Sequence, residues 1–302
     1  MAGMTIAAQR TELSFQIGTR KLLRPARKLV RIELDFPSVV GAVIPPLPPL
    51  GSEADGYIVR SVPLTAVPAG AKVIHEYRRF AISVSGKTFD RYMKERFDKK
   101  ARYNLKRMVR QWSETKPDVR EYSRPEHVDE FCRIAGGISL LTYQHKLLDA
   151  GLPQGQEALA EMLALAAQDR LRGYVLYRDE TPAAYAYCVA HGRVLTYTRI
   201  GYDQTFAKHS PGDVLLLEIL VRLFAGQRFD YFDFGMGEAK YKATYATDYF
   251  DCADVLLLNP TIANRLLAAS LSSFNRAVRR ARDFAARTGG ASFLYRRLRK
   301  SD

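Results

Sequence analysis

The sequence predicts an α/β fold in which a mixed sheet is flanked by helices. Three observations carry that expectation. Residues 173–178, 183–190 and 193–200 alternate as strands do. The short turns Asp179-Glu180-Thr181-Pro182 and His191-Gly192 join them into an antiparallel meander. Residues 214–224 are apolar almost all round and read as a buried helix. Residues 229–234 then read as a buried strand.

The rest of the chain fits around that core. Residues 57–62 and 72–84 are rich in β-branched and aromatic side chains and read as strands. Residues 88–115 read as one long helix, with Phe89, Tyr92, Met93, Phe97, Leu105, Met108 and Trp112 recurring at spacings of three and four, with gaps where charge takes over. Residues 119–122 form a short strand. Residues 125–135 form a short helix with acids in its first half, as the helix dipole favours. An Ala- and Leu-rich helix covers 158–171. Residues 36–50 carry five prolines and read as extended or irregular. Residues 261–286 read as a helix with Leu267, Leu271, Phe274 and Val278 on one stripe. The chain thus divides into a basic lead with strands (1–85), a main domain (86–258) and a basic amphipathic helical segment (259–302).

Charge and composition narrow the partners. The net charge is +14. Residues 1–31, 87–116 and 259–302 together carry +21, so the remainder is mildly acidic. A concentrated basic surface attracts anionic lipid, polyanions or nucleic acid. The C-terminal segment, with Phe293 and Tyr295 among arginines, has the pattern of a helix lying on an anionic membrane. No RNA- or DNA-binding motif is present. No apolar run is long enough to cross a bilayer, and the first residues lack the pattern of a secretory signal. The isolated Cys132, Cys188 and Cys252 fit neither a zinc site nor a disulfide framework. A cytoplasmic protein, peripheral on the inner membrane and without a metal, is the expectation.

The most informative local pattern is the start of the buried helix. Ser210 reads as its N-cap, Pro211 as its first residue and Asp213 as the partner in a capping-box-like pair. Free N–H groups at a helix N-terminus suit a phosphate. Gly212 permits close approach, and Lys208 and His209 add donors before the cap. An ordinary well-capped buried helix explains the same residues. On the following strand Tyr231, Asp233 and Gly235 share one face. Asp233, Glu238 and His209 are candidate general bases. Glu238, Lys240 and Lys242 sit in a glycine-bounded loop where acceptor contacts fit.

Taken together, these motifs resemble a known family. The run Gly201-Tyr202-Asp203, Ser210-Pro211-Gly212, Asp230-Tyr231-Phe232-Asp233-Phe234-Gly235, Glu238 and Tyr241-Lys242 is similar to the CelD-like branch of the GNAT acyltransferases. So are Thr142-Tyr143-Gln144 and the basic stretch around Lys100, Arg102, Asn104, Leu105 and Arg107. That branch is distantly similar to the peptidoglycan aminoacyl transferases. The Gln/Arg-x-x-Gly-x-Gly/Ala loop frequent among GNAT enzymes is absent.

The resemblance covers roughly residues 86–250, with residues 1–85 a partial second GNAT-like half. It implies a GNAT-like mixed sheet in which the strands on either side of the Ser210 helix splay apart around a thioester arm. The implied donor is acyl-coenzyme A, held by Tyr202, Lys208, Ser210 and Gly212. Tyr143, Gln144, His145, Tyr241 and Lys242 would face the acceptor. The implied reaction is acyl transfer to an amine or hydroxyl on a lipid or envelope-glycan intermediate at the cytoplasmic membrane face. Ceramide-forming N-acyl transfer is one candidate. Two alternatives stand beside it: an aminoacyl-tRNA-dependent transferase of the peptidoglycan type, and a non-catalytic membrane- or nucleic-acid-binding protein on a degenerate GNAT fold.

Overall fold

Strand and helix follow the sequence periodicities closely, and the departures have local causes. The computed structural model describes residues 8–12, 15–17, 20–23, 26–52, 54–141 and 151–264, with scattered positions from there to 280. The strands and helices, in chain order, begin with β1 (Ala8–Glu12), β2 (Phe15–Ile17), β3 (Arg20–Leu23), β4 (Ala26–Glu33), α1 (Phe36–Val40), β5 (Gly56–Pro63) and β6 (Lys72–Ser83). There follow α2 (Phe89–Arg96), α3 (Lys99–Trp112), β7 (Asp118–Tyr122), α4 (Val128–Leu141), α5 (Gln156–Ala167), β8 (Leu171–Arg178) and β9 (Thr181–His191). Last come β10 (Val194–Tyr202), α6 (Pro211–Gly226), β11 (Tyr231–Asp233), α7 (Lys240–Tyr245) and β12 (Asp248–Leu258). No helix among the described residues is long and apolar enough to cross a membrane.

The sequence divides at 85/86 and 258/259; the fold divides differently. One compact unit comprises residues 1–77 with 251–302, and the other residues 78–250. In the first unit β4 pairs in parallel with β5, while β1 and β12 flank them antiparallel. A polar knot is buried in it. The Tyr77 hydroxyl accepts from the Ser61 N–H (3.0 Å) and donates to Asp254 Oδ1 (3.0 Å), while Arg60 Nε meets Asp254 Oδ2 at 3.3 Å. Residues 36–50 contain more order than proline content suggests. Asp35 caps α1 by accepting from the Ser38 N–H, and Pro37 sits in the first turn, where its missing N–H costs nothing. The C-terminal segment from 281 on lies outside the described residues.

The second unit holds the predicted core. Its sheet runs β6–β11–β10–β9–β8–β7, with β10 and β11 parallel and the other pairs antiparallel. Strand alternation separates two buried layers. Ala184, Ala186 and Cys188 join Ile82, Leu195 and Phe232 under α2, α3 and α6. Tyr185, Tyr187 and Val189 join Val175 under α4 and α5. The single helix expected over 88–115 is two. Phe97 leaves helical geometry and plugs into the core against Tyr92 and Tyr245. Asp98 then starts α3 as an N-cap, accepting from the Ala101 N–H at 2.6 Å. Asp98 was readable as one more helical charge, but a short acceptor side chain competes for the backbone and restarts the helix instead.

Close packing of α4 on β8 gives a direct expectation. A Cβ at Gly173 stands 2.7 Å from two ring carbons of Phe131, which is fully buried. Gly173→Ala should therefore destabilise the second unit by about 1–3 kcal/mol. Urea unfolding followed by fluorescence of Trp112, the single tryptophan, reads this unit directly. An unchanged midpoint means that α4 shifts freely.

Candidate active site

The site is a fork between two parallel strands. β10 and β11 pair only through Val194–Tyr231, Leu195–Phe232 and Thr196–Asp233. β10 then runs on to Tyr202, and among the described residues no strand pairs with that edge from Tyr197 onward. Its N–H and C=O groups there are available to an extended ligand. A register shift between Tyr197 and Arg199 on the β9 side bends the strand at the same place. Because the strands are parallel, the opening lies at their C-terminal ends, where open α/β sheets take their ligands.

The chain leaves β10 through a short 3-10 segment and enters α6. Asp203 caps that segment by accepting from the Thr205 N–H at 2.9 Å. Lys208 and His209 are exposed at its end. Pro211 opens α6 as the sequence predicts, but the capping box does not form. Ser210 adopts left-handed backbone (φ 50°, ψ 52°) and its hydroxyl caps nothing. The Asp213 carboxylate turns away and accepts from the Tyr245 hydroxyl at 3.0 Å. The αL geometry directs the Ser210 side chain off the helix axis, so its backbone C=O alone serves the first turn, accepting from Asp213 and Val214. The Gly212 N–H has no backbone acceptor among the described residues. Tyr202 stands beside it, its ring 3.9 Å from where a Gly212 Cβ would be. Burial pushes the Asp213 carboxyl above its usual range, against the hydrogen bond from Tyr245.

Asp233, at the crotch of the fork, is fully buried and saturated with donors. Arg79 grips it twice, Nε to Oδ1 at 3.0 Å and Nη2 to Oδ2 at 2.6 Å. The Gly235 N–H adds 2.9 Å to Oδ1 and Thr196 Oγ1 adds 3.2 Å to Oδ2. A carboxylate with four donors has no lone pair aimed at a substrate; this geometry makes Asp233 a strut that ties β6, β10 and β11 together. Gly235, at φ 69°, turns the chain immediately after it. Glu238 is exposed in the loop beyond, with Oε1 accepting from the Arg78 N–H at 3.0 Å.

Helix α7 brings Tyr241 and Lys242 back to the fork. Lys242 is buried and donates to the Met236 C=O at 2.6 Å. Burial, more than any neighbour, lowers its ammonium to about 8; Asp233 acts the other way and Arg79 adds to the lowering. Tyr241 packs edge-on against Phe234, and burial pushes its phenol up to about 12. The fold thus joins Asp233, Lys242 and Tyr241 at the crotch, and Tyr202, Ser210 and Gly212 at the mouth. Tyr143, Gln144 and His145 lie outside the described residues. Arg79 and Thr196 were not singled out from the sequence, and Asp213 was read only as a capping partner. The available signal was a basic residue, Arg79, beside the apolar run Phe80-Ala81-Ile82 of a predicted strand.

Comparison with known proteins fits this geometry. Residues 99–243 match the family described as acetyltransferase (GNAT) domain. Among solved structures, FemX superposes with a TM-score of 0.55 at 9% identity, covering 87% of this chain and 91% of that one. The DUF2156 C-terminal domain of a candidate lysylphosphatidylglycerol synthetase from Agrobacterium fabrum gives 0.50 at 12% identity, covering 73% of each chain. No curated protein matches. At such identities the structural likenesses speak for the fold; the family match, over just under half of the chain, adds a likeness of residues 99–243 to a GNAT acetyltransferase domain.

Proposed function

We propose that the protein is an acyl-CoA-dependent acyltransferase of the CelD-like branch. It transfers an acyl group to an amine or hydroxyl of a lipid or envelope-glycan intermediate at the cytoplasmic membrane face. The observation that carries this reading is the β10/β11 fork with the α6 N-terminus at its mouth. A thioester arm hydrogen-bonded along the free edge of β10 places the pyrophosphate against the Gly212 N–H, with Lys208 and His209 beside it. Attack on the thioester carbonyl develops an oxyanion, and the unpaired β10 N–H groups are suited to it. The departing thiolate then needs a proton. Lys242, at about 8, nearly matches an ordinary thiol at about 8.5, and is our candidate donor. Glu238 and His209, both reachable from solvent, are the candidates to take the acceptor proton.

The basic surfaces support a membrane location. α3 carries six Lys/Arg and no acid, and Tyr103 on it is exposed. The aminoacyl-tRNA reading draws on the same helix and on the FemX-like fold, and so remains the second reading. Titrating the full chain with acetyl-CoA, a long-chain acyl-CoA and tRNA separates the two. Gly212→Asp sets a carboxylate against the phosphates and should weaken acetyl-CoA binding at least tenfold while Trp112 fluorescence stays native. Unchanged affinity removes the phosphate site from α6. Tight tRNA binding without coenzyme A binding favours the second reading.

A further inference from the structure

Arg199 is a half-buried cation without a counter-ion among the described residues. The register shift on β10 puts Tyr197 and Arg199 on opposite faces of the sheet. Tyr197 packs in the layer under α6, whereas Arg199 stands opposite Tyr187 in the layer with α4. Its charge reaches the phenols of both Tyr185 and Tyr187. Its Nη1 is used on its neighbour's C=O, Thr198, at 3.0 Å. Nε is cut off from solvent and has no acceptor. Nη2 has no protein partner among the described residues, and no Asp or Glu there lies within ion-pair distance of the side chain. The two buried guanidiniums are paired, Arg79 with Asp233 and Arg172 with Asp169 and Glu121; the half-buried Arg178 also leaves Nη1 without an acceptor, but it lies over the Trp112 ring.

Burying a guanidinium N–H without an acceptor is costly. Such a group is retained against stability where a ligand supplies the missing charge. Its place fits that use. Arg199 lies three residues beyond Thr196, about 10 Å along the strand, on the unpaired stretch of β10 that borders the fork. A planar guanidinium with free N–H groups matches a phosphate or carboxylate in a way that an ammonium does not.

We infer that Arg199 anchors an oxyanion group on the acyl acceptor, so that the acceptor is an amine or alcohol that also bears a phosphate or carboxylate. This rests on the acyl-transfer reading and narrows it. A bare long-chain amine lacks the group that Arg199 would hold; an aminophospholipid headgroup, a phosphorylated glycan or an amino acid has it. Arg199 is a specificity residue, distinct from the groups that move protons.

The test uses the full chain, with Arg199→Gln, Arg199→Met and, as a control on the exposed basic helix, Arg110→Gln. Phosphoethanolamine, inorganic phosphate and glycine are the oxyanion probes; ethanolamine and methylamine, at matched ionic strength, are their uncharged-group counterparts. Calorimetry and the Trp112 melting curve read binding without requiring turnover. Wild type and Arg110→Gln should bind at least one oxyanion probe at least tenfold more tightly than its counterpart, and their melting point should rise with it. Arg199→Gln should lose both effects, and Arg199→Met without ligand should melt at or above wild type. In acyl transfer, the preference in kcat/KM for the oxyanion acceptor over its counterpart should fall at least tenfold in Arg199→Gln. Which probe binds decides between phosphate and carboxylate. Equal binding by wild type and Arg199→Gln, or no binding of any oxyanion probe by wild type, overturns the inference. Acetyl-CoA affinity is measured on the same samples. Its absence sinks the acyl-transfer reading, whereas acetyl-CoA binding without oxyanion binding sinks only the role of Arg199.

Discussion

Arg79→Met is expected to cost the second unit about 3–5 kcal/mol, because it leaves the Asp233 carboxylate buried without its cation. The loss appears as a lower urea midpoint in Trp112 fluorescence. The double variant Arg79→Met with Asp233→Leu removes both charges and should recover most of it, since apolar replacements of a buried pair are often neutral. Asp233→Asn separates strut from base. Acting as a strut, Asp233 loses stability and turnover together in this variant, as a buried Arg79 loses its anion and the fork relaxes. Acting as a base, it loses turnover by about 10²–10⁴ with the midpoint unchanged. The four donors on its carboxylate point to the first outcome.

Lys242→Met should do the reverse and give a more stable, less active protein. The folded state lowers this ammonium from 10.5 to about 8. Below pH 8 both states carry the proton, and the fold bears the whole cost of burying it, about 3 kcal/mol at 1.36 kcal/mol per pKa unit. Between pH 8 and 10.5 the unfolded chain holds more protons than the folded one, so stability rises with pH. Methionine removes that pH dependence. Near neutral pH it should stabilise by about 1–2 kcal/mol, once the lost hydrogen bond to the Met236 C=O is deducted. Turnover should meanwhile fall by about 10²–10⁴ with acetyl-CoA affinity kept, if Lys242 hands a proton to the leaving thiolate. The wild-type pH–rate profile should then show a limb near 8 that Lys242→Met lacks. A destabilised, fully active variant would make Lys242 a structural residue.

What the sequence disclosed was local. The meander, the buried helix and its start at Pro211 were legible because alternation, apolar periodicity and an N1 proline are written in consecutive residues. The helix break at Phe97-Asp98 was hidden because Leu105, Met108 and Trp112 resume the spacing of three and four beyond a charged gap. β11 was read as 229–234 but forms over Tyr231–Asp233 only; beyond it single backbone bonds persist, as from the Phe234 N–H to the Phe80 C=O at 3.0 Å, without extending the ladder. The fork itself was not legible from residues, since it depends on where a parallel pairing between segments 37 residues apart stops. Its existence came from the family resemblance. The pairing of Arg79 with Asp233 was invisible for the same reason. The partners lie 154 residues apart, and nothing near either residue announces the pair.

That pair also limits how the gene can be cut. The family match begins at residue 99, which makes 99–243 look like a module to be expressed or swapped alone. Such a fragment discards β6. With it go the antiparallel neighbour of β11 and, among the described residues, the only cationic side chain at hydrogen-bond distance from Asp233. β11, three residues long, becomes an open edge with a stranded charge beside it. The smallest piece that keeps the fork intact starts upstream of Arg79 and ends beyond α7, so homology boundaries and folding boundaries do not coincide in this chain.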